Sequence, residues 1–234
     1  MRASLLLAVV LPLVCSHHAL AGIVMTGTRV IYPAGAREKS VQLSNTDTRP
    51  YIVQVQIDGG RPGDASAGEA FAITPPVFRM EANAGQSVRL RYAGGPLPED
   101  RESLFYLSFT QLPSGKAAEQ GGNQLVLAVT NRVKMFWRPR GLTDDAAAIA
   151  RGMTFSLSGG GIRVTNPSGR YASVRRATLR AHGREIPLAE SEMVAPKSAA
   201  TWRPSSAVSS LRGARLRLVL VNDYGTDVVI ERVL

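Results

Sequence analysis

Residues 123–139, in the middle of the chain, read NQLVLAVTNRVKMFWRP and are the most informative segment of the sequence. Leu125, Leu127 and Val129 fall at every second position, which is the period of a β-strand with one apolar face. The same run continues through Arg132 and Lys134 instead of closing in a turn. One predicted strand therefore carries both an apolar stripe and a lysine, and the rest of the sequence has to account for that combination.

Short alternating runs of the same kind recur along the chain and are separated by Gly, Pro, Asn and Asp. Strands at this spacing, with turn residues between them, predict an all-β protein built from β-sandwiches. Besides LVLAV (125–129), the runs are SVQLSN (40–45), YIVQVQI (51–57), SVRLRY (87–92), LFYLSF (104–109), GIRVTN (161–166), RLRLVLVN (215–222) and DVVIERV (227–233).

The pattern of strands is interrupted once, near the residues RPRG (138–141). A polar, alanine-rich stretch follows, in which TDDAAAIA (143–150) predicts a short helical segment. The chain is long enough for two domains of about a hundred residues each. We therefore predict two β-sandwich domains, residues 22–139 and residues 140–234, joined by a short link.

The N-terminus, MRASLLLAVVLPLVCSHHALA (1–21), combines an early arginine, a short apolar core and an Ala-Leu-Ala ending. This pattern predicts a secretory signal peptide, cleaved before Gly22, and a soluble exported protein without membrane insertion. Cys15 is the only cysteine. The mature chain would then have no disulfide, so we expect its hydrophobic cores alone to hold it together in an oxidising compartment.

The composition argues against several classes of function. The net charge is +10, but the arginines are scattered without interleaved aromatic residues, which does not favour nucleic-acid binding. His182 is the only histidine beyond the predicted signal peptide, which leaves little for a zinc site or a catalytic triad. The carboxylates at 99–102 and 144–145 are typical of surfaces and ion pairs, and Gly159–Gly161 is typical of a turn. We therefore expect neither an enzyme nor a cofactor or metal.

Three stretches together resemble one family, namely TGTRVIYPAG (26–35), PEDRESLFYLSF (98–109) and RVKMFWRP (132–139), with TPPVFR (74–79) and VNDYGTD (221–227) in support. They are similar to the periplasmic pilus-assembly chaperones of the chaperone–usher pathway. The resemblance implies two immunoglobulin-like β-sandwich domains set at an angle, with a cleft between them. It also implies that pilus subunits and an outer-membrane usher are the partners, and that the protein works in the periplasm.

The resemblance gives the opening stretch a role. In this family the last strand of the first domain is lent to a pilus subunit that lacks its own final strand. Leu125, Leu127 and Val129 would be the donor residues that enter the groove of the subunit. Arg29 and Lys134 match the two cations that bind the subunit's C-terminal carboxylate, while Glu102, Arg138 and Asp223 match a charged set that links the two domains.

The chain departs from the family pattern in places. Gln56 stands where many members have tryptophan, and the loop at 110–124 looks closer to the short-loop group.

A secreted adhesive or carbohydrate-binding module is the alternative from a different class. A sugar site needs exposed aromatic rings, and the chain has only two tryptophans, Trp137 and Trp202.

Overall fold

The computed structural model describes residues 22–60, 69–114, 127–181 and 183–234. The predicted signal peptide, Leu125 and His182 lie outside these ranges. Within them no helix is long and apolar enough to cross a membrane. The elements are β1 (Ile23–Met25), β2 (Arg29–Pro33), β3 (Lys39–Asn45), β4 (Tyr51–Asp58), β5 (Phe71–Thr74), β6 (Val77–Met80), β7 (Gly85–Tyr92), β8 (Ser103–Pro113), β9 (Val129–Arg138), α1 (Ala146–Gly152), β10 (Thr154–Ser158), β11 (Gly161–Asn166), β12 (Ala172–Ala181), β13 (Arg184–Val194), β14 (Ser198–Trp202), β15 (Arg215–Val221) and β16 (Asp227–Val233).

The N-terminal half is a sandwich of two sheets, with strand orders β1-β3-β7-β5 and β2-β9-β8-β4-β6. β4 shows how the alternating sequence builds it, because Val53, Val55 and Ile57 are buried while Gln54 and Gln56 between them are exposed. The inward faces of both sheets meet in one hydrophobic core, which runs from Ile23 to Trp137.

The C-terminal half is a second sandwich, with strand orders β10-β11-β14 and β13-β12-β15-β16. Its own core includes Leu216, Leu218 and Leu220, which alternate with exposed residues at the start of β15. The prediction of an all-β protein with two β-sandwiches is therefore confirmed. The exact boundary after residue 139 stays a prediction.

The connector between the two cores contains α1, as the run TDDAAAIA predicted. Asp145 caps the helix, because its carboxylate accepts a hydrogen bond of 2.7 Å from the backbone N–H of Ala148. Ile149 and Ala150 are buried against the second core. The connector is thus packed onto the C-terminal half rather than suspended between the two sandwiches.

The first strands of the chain pass from one sheet to the other. β1 pairs with β3 in the first sheet, ending with Met25 opposite Leu43, and β2 then joins the second sheet beside β9. Gly27, with φ of 91°, lies at this crossing in a backbone region that favours glycine. β2 runs parallel to β9, whereas all the other paired strands of the described chain run antiparallel.

Candidate functional site

The first half of β9 has a strand on one side only. β8 pairs with β9 all the way from Val129 to Trp137. β2 pairs with the opposite edge of β9 only from Lys134 to Arg138. Residues 129–133, which we call the open edge, therefore face no strand of the described chain on that side. An unpaired edge of this kind presents backbone N–H and C=O groups that can add another strand.

Two residues of the apolar stripe, Val129 at the start of the open edge and Leu127 just before it, are exposed. Leu127 is 62% exposed and Val129 is 45% exposed, so neither is buried in the chain's own core. Because successive side chains of a strand alternate between faces, Val129 shares its face with Met135 and Trp137, which do enter that core. Val129 thus lies on the inward face of β9, but beyond the part of that face which the chain's own hydrophobic core covers.

The strand predicted over 125–129 is wrong in its extent, since β9 begins only at Val129. Leu127 and Ala128 precede it without regular structure, and Leu125 lies outside the described residues. The register places Val129 opposite Gln111, so Leu127 would stand opposite Pro113 at the end of β8. Proline has no N–H group to donate, which weakens the ladder at this point.

Arg29 and Lys134, the anchor pair, lie side by side where β2 meets the open edge. They are direct Cα partners in the parallel pairing of β2 with β9. One Arg29 nitrogen, Nη1, donates a hydrogen bond of 3.2 Å to the backbone oxygen of Val221 in the C-terminal half. The Nε of Arg29 is buried and has no hydrogen-bond partner within the described residues.

The environment of the anchor pair disfavours its positive charge. Burial lowers the pKa of Lys134, and the neighbouring Arg29 cation lowers it further. Burial also lowers the pKa of Arg29, although Asp223 opposes the shift. Within the described ranges the Lys134 ammonium has no ion-pair partner. Two half-buried, like-charged groups therefore stand next to each other and would be stabilised by an incoming carboxylate.

Glu102, Arg138 and Asp223 meet between the two sandwiches. Arg138 Nε donates to Glu102 Oε1 at 2.7 Å, and its two Nη atoms donate to the carboxylate of Asp223 at 2.7 and 2.8 Å. The Arg138–Asp223 contact is bidentate, which is the strongest geometry for such a pair. One arginine of β9 thus binds a carboxylate from each half of the chain.

Arg170 is a fourth member of this group that the sequence analysis missed. Its Nη2 donates to Asp223 Oδ1 at 2.6 Å, its Nη1 donates to the backbone oxygen of Asp144, and its Nε lies 3.4 Å from Glu102 Oε1. The residue is 8% exposed. Two arginines and two carboxylates therefore balance their charges, and we call Glu102, Arg138, Arg170 and Asp223 the interdomain cluster.

Further contacts fix the two halves around the interdomain cluster. The backbone N–H of Tyr171 donates to Glu102 Oε2 at 2.8 Å, and the N–H of Glu102 donates to the oxygen of Gly169 at 2.8 Å. The rings of Phe136 and Tyr171 lie 5.5 Å apart. Hydrogen bonds from Arg138 and Arg170 hold the pKa of Asp223 below its usual range despite its partial burial. These contacts hold Glu102 and the C-terminal end of β9 against residues 169–171 of the C-terminal half.

The described part of the chain shows neither a cluster of metal ligands nor an exposed tryptophan. No group of three or more His, Cys, Asp or Glu side chains there could hold a metal ion. Trp137 and Trp202 are 7% and 4% exposed, so neither offers a ring face to a sugar. The arrangement that remains is an open strand edge with a pair of cations at its end.

Comparison with known proteins identifies the family. Residues 22–143 match the family model described as "Pili and flagellar-assembly chaperone, PapD N-terminal domain", and residues 148–231 match "Pili assembly chaperone PapD, C-terminal domain". The chain belongs to the PapD-like family of pilus assembly chaperones. The resemblance inferred from its sequence motifs is confirmed.

Individual relatives cover nearly the whole chain. The chaperone protein HifB of Haemophilus influenzae is 38% identical over 219 residues, which is 91% of this chain and 88% of HifB. The crystal structure of the YadV chaperone, a probable fimbrial chaperone of Escherichia coli, superimposes with a TM-score of 0.78 at 31% identity, covering 92% of this chain and all of that one. The SafB chaperone of Salmonella enterica, solved in complex with the SafA pilin, gives a TM-score of 0.75 at 26% identity, with coverages of 92% and 97%. The predicted pair of immunoglobulin-like sandwiches is the fold of these chaperones.

Proposed function

We propose that this chain is a non-enzymatic periplasmic chaperone that captures pilus subunits by donor-strand complementation and delivers them to an outer-membrane usher. The open edge of β9 completes the sheet of an unfinished subunit. Leu125, Leu127 and Val129 enter the groove that the missing strand leaves. Arg29 and Lys134 bind the C-terminal carboxylate of the subunit. Residues 1–21 act as the signal peptide, and neither nucleotide nor cofactor takes part.

The observation that carries this proposal is that β2 begins at the anchor pair, with Arg29 opposite Lys134. β2 covers β9 from Lys134 onward, and the open edge begins at the next residue, Val133. A strand from another protein can therefore continue the line of β2 along β9. Its C-terminus would arrive at Arg29 and Lys134, where charge-assisted hydrogen bonds to a carboxylate are strong. Chaperone–pilin pairing is an established example of such strand addition.

The anchor pair also fixes the register of the added strand. A strand shifted by one residue would turn all its side chains to the wrong face of the sheet. A carboxylate held at Arg29 and Lys134 sets one end, so the backbone groups of residues 129–133 meet defined partners. The complex of the similar SafB chaperone with a pilin supports a pilus subunit as the partner.

The exposed aliphatic side chains supply the apolar part of the affinity. Full burial of an aliphatic side chain contributes about 1.5–3 kcal/mol, so Leu127 and Val129 together offer roughly 3–6 kcal/mol before the cost of ordering the partners. Because both side chains are exposed in the free protein, this apolar surface is available without unfolding the chaperone's own core.

Replacing Leu127 and Val129 by aspartate tests the proposal directly. The variant should fold as stably as the wild type, since neither side chain is buried. A pilus subunit encoded in the same gene cluster and co-expressed with this variant should be degraded, because two carboxylates of the variant would have to enter an apolar groove. The measurement is the amount of soluble subunit that co-purifies with the chaperone.

Val233→Asp is the matched control for this experiment. Val233 is 64% exposed on β16, far along the chain from the open edge, so its replacement should leave subunit recovery unchanged. Normal recovery of the subunit with the Leu127→Asp/Val129→Asp variant would refute donation by this stripe.

The affinity for pilus subunits should fall at alkaline pH, because Lys134 then loses its proton. The pKa of Lys134 is lowered in the free protein, and a bound carboxylate would raise it again. The contribution of Lys134 to affinity is therefore fully present below its free-state pKa and is lost as the pH rises through its pKa in the complex. Titration calorimetry across the alkaline range measures the loss, which should be shallower for Lys134→Arg because arginine keeps its charge. Identical pH profiles for the two proteins would exclude Lys134 from the anchor.

A further inference from the structure

A cavity of about 460 Å³ lies beside Arg29 of the anchor pair. It opens where the chain crosses from β1 to β2, because β1 leaves β3 after Met25 and Lys39–Val41 are then left without a partner from β1. Arg29 belongs both to the anchor pair and to the wall of the cavity. The other lining side chains that matter here are Met25, Ile31, Lys39, Gln42 and Tyr224.

Tyr224 stands at the rim of this cavity and is 86% exposed, more than any other large apolar or aromatic residue of the described chain. The turn that carries it is held by hydrogen bonds, since Asn222 Oδ1 accepts from the backbone N–H groups of Tyr224 and Thr226, both at 3.0 Å. Gly225, with φ of 85°, packs so closely on Thr28 that a side chain would not fit there. An exposed ring on a braced turn loses little conformational freedom when it binds a partner.

The charges around the cavity restrict what can enter it. Arg29 and Lys39 are cations, and Lys39 has no ion pair within the described residues. The one carboxylate in the wall, Asp223, is already bonded to Arg138 and Arg170. A lysine or arginine side chain would therefore be repelled. Met25 and Ile31 provide apolar walls, and the amide of Gln42 in the wall can hydrogen-bond a hydroxyl group.

We propose that this cavity binds the side chain of the terminal residue of the captured subunit and selects an aromatic ring there. The inference rests on the proposed function, because a carboxylate held by Arg29 places the Cα of the terminal residue one bond, about 1.5 Å, from the carboxylate carbon. The side chain of that residue then starts at the mouth of the cavity and can pack against Tyr224. The anchor pair recognises any C-terminus, whereas the cavity distinguishes one C-terminal residue from another.

The test uses the mature chain, residues 22–234, and synthetic peptides with the last strand of a pilus subunit from the same gene cluster. Peptides ending in Tyr, Leu or Lys are compared by fluorescence anisotropy. We expect the wild type to prefer Tyr to Lys by at least tenfold. Tyr224→Ala should weaken binding of the Tyr peptide about 2- to 10-fold, the range for loss of one aromatic pair, and Tyr224→Phe should retain it. Val233→Ala, which removes an exposed side chain elsewhere in the C-terminal half, should leave all affinities unchanged.

The outcomes separate this inference from the function on which it rests. A wild-type affinity for the Tyr peptide no higher than that for the Leu or the Lys peptide would overturn selection of an aromatic ring by the cavity. Equal effects of Tyr224→Ala and Val233→Ala would overturn it as well. Loss of binding to every peptide in Arg29→Ala, or after amidation of the peptide C-terminus, belongs to the anchor pair and would leave the proposed function intact. Peptide binding that ignores both changes would overturn the anchor as well.

Discussion

Alanine at both Arg29 and Lys134 should reduce the affinity for a pilus subunit by about 10²- to 10⁴-fold while leaving the fold intact. Each charge-assisted hydrogen bond contributes about 1.5–3 kcal/mol, and each 1.4 kcal/mol is a tenfold change in affinity. The protein itself should lose little stability, because Lys134 has no ion-pair partner within the described residues and Arg29 gives up one hydrogen bond of 3.2 Å to the backbone oxygen of Val221. Burial already disfavours both charges. Calorimetric titration with a purified subunit gives the affinity, and thermal unfolding gives the stability.

The matched control replaces two other arginines, Arg176 and Arg217, by alanine. Both are exposed on the outer face of the second sandwich and form ion pairs with Glu190 and Glu231. Removing two positive charges there should leave subunit affinity within about twofold, since exposed ion pairs contribute little. An anchor variant that binds as tightly as this control would exclude the carboxylate anchor.

Replacing Arg138 by alanine should lower the free energy of unfolding by about 3–5 kcal/mol, more than any other substitution proposed for this protein. Within the described residues, Arg138 alone donates hydrogen bonds shorter than 3 Å to both carboxylates of the interdomain cluster, and Glu102 is 4% exposed. Without Arg138, two carboxylates would share the single charge of Arg170, with Glu102 buried away from water. Urea unfolding measures the loss, and Arg217→Ala, an exposed arginine in an ion pair, should cost less than about 1 kcal/mol.

The pH dependence of the interdomain cluster has a defined sign. The pKa of Asp223 is held below its usual value of 3.8, so its contribution to stability is complete above that value and disappears as the pH falls through the lowered pKa. The free energy of unfolding of the wild type should therefore lose this contribution as the pH falls below about 3.8, which urea unfolding at a series of acidic pH values measures. An Arg138→Ala variant as stable as Arg217→Ala at neutral pH would show that the cluster does not hold the two halves together.

The sequence was sufficient for the architecture because strand alternation is a local property. The apolar residues Val53, Val55 and Ile57 at every second position predict one buried face, and the same alternation predicts most strands of both sandwiches. The family motifs then placed Arg29 and Lys134 in one site. Only the parallel pairing of β2 with β9 makes them Cα neighbours, and no local pattern encodes that pairing.

Other features were beyond the reach of the sequence. Arg170 follows a glycine in a short loop and carries no signal that distinguishes it from the many exposed arginines, yet it is 8% exposed and bonded to residues 26 and 53 positions away along the chain. β9 begins at Val129 and not at Leu125, and the residue that would face Leu127 is Pro113 of β8. The sequence does not show which residues of two strands face each other. The cavity beside Arg29 depends on a strand crossing that brings β2, β3 and the turn after β15 together.

The strands, their buried faces and the residue types available for a site follow from the amino-acid sequence, because side-chain polarity and a two-residue period act over a few neighbouring positions. Which edge of β9 stays open, which cations lack partners among the described residues and which charges cancel follow only from the folded chain. Those properties depend on contacts between segments far apart in the chain, and burial changes the energy of a charge only once the whole fold has excluded water from it.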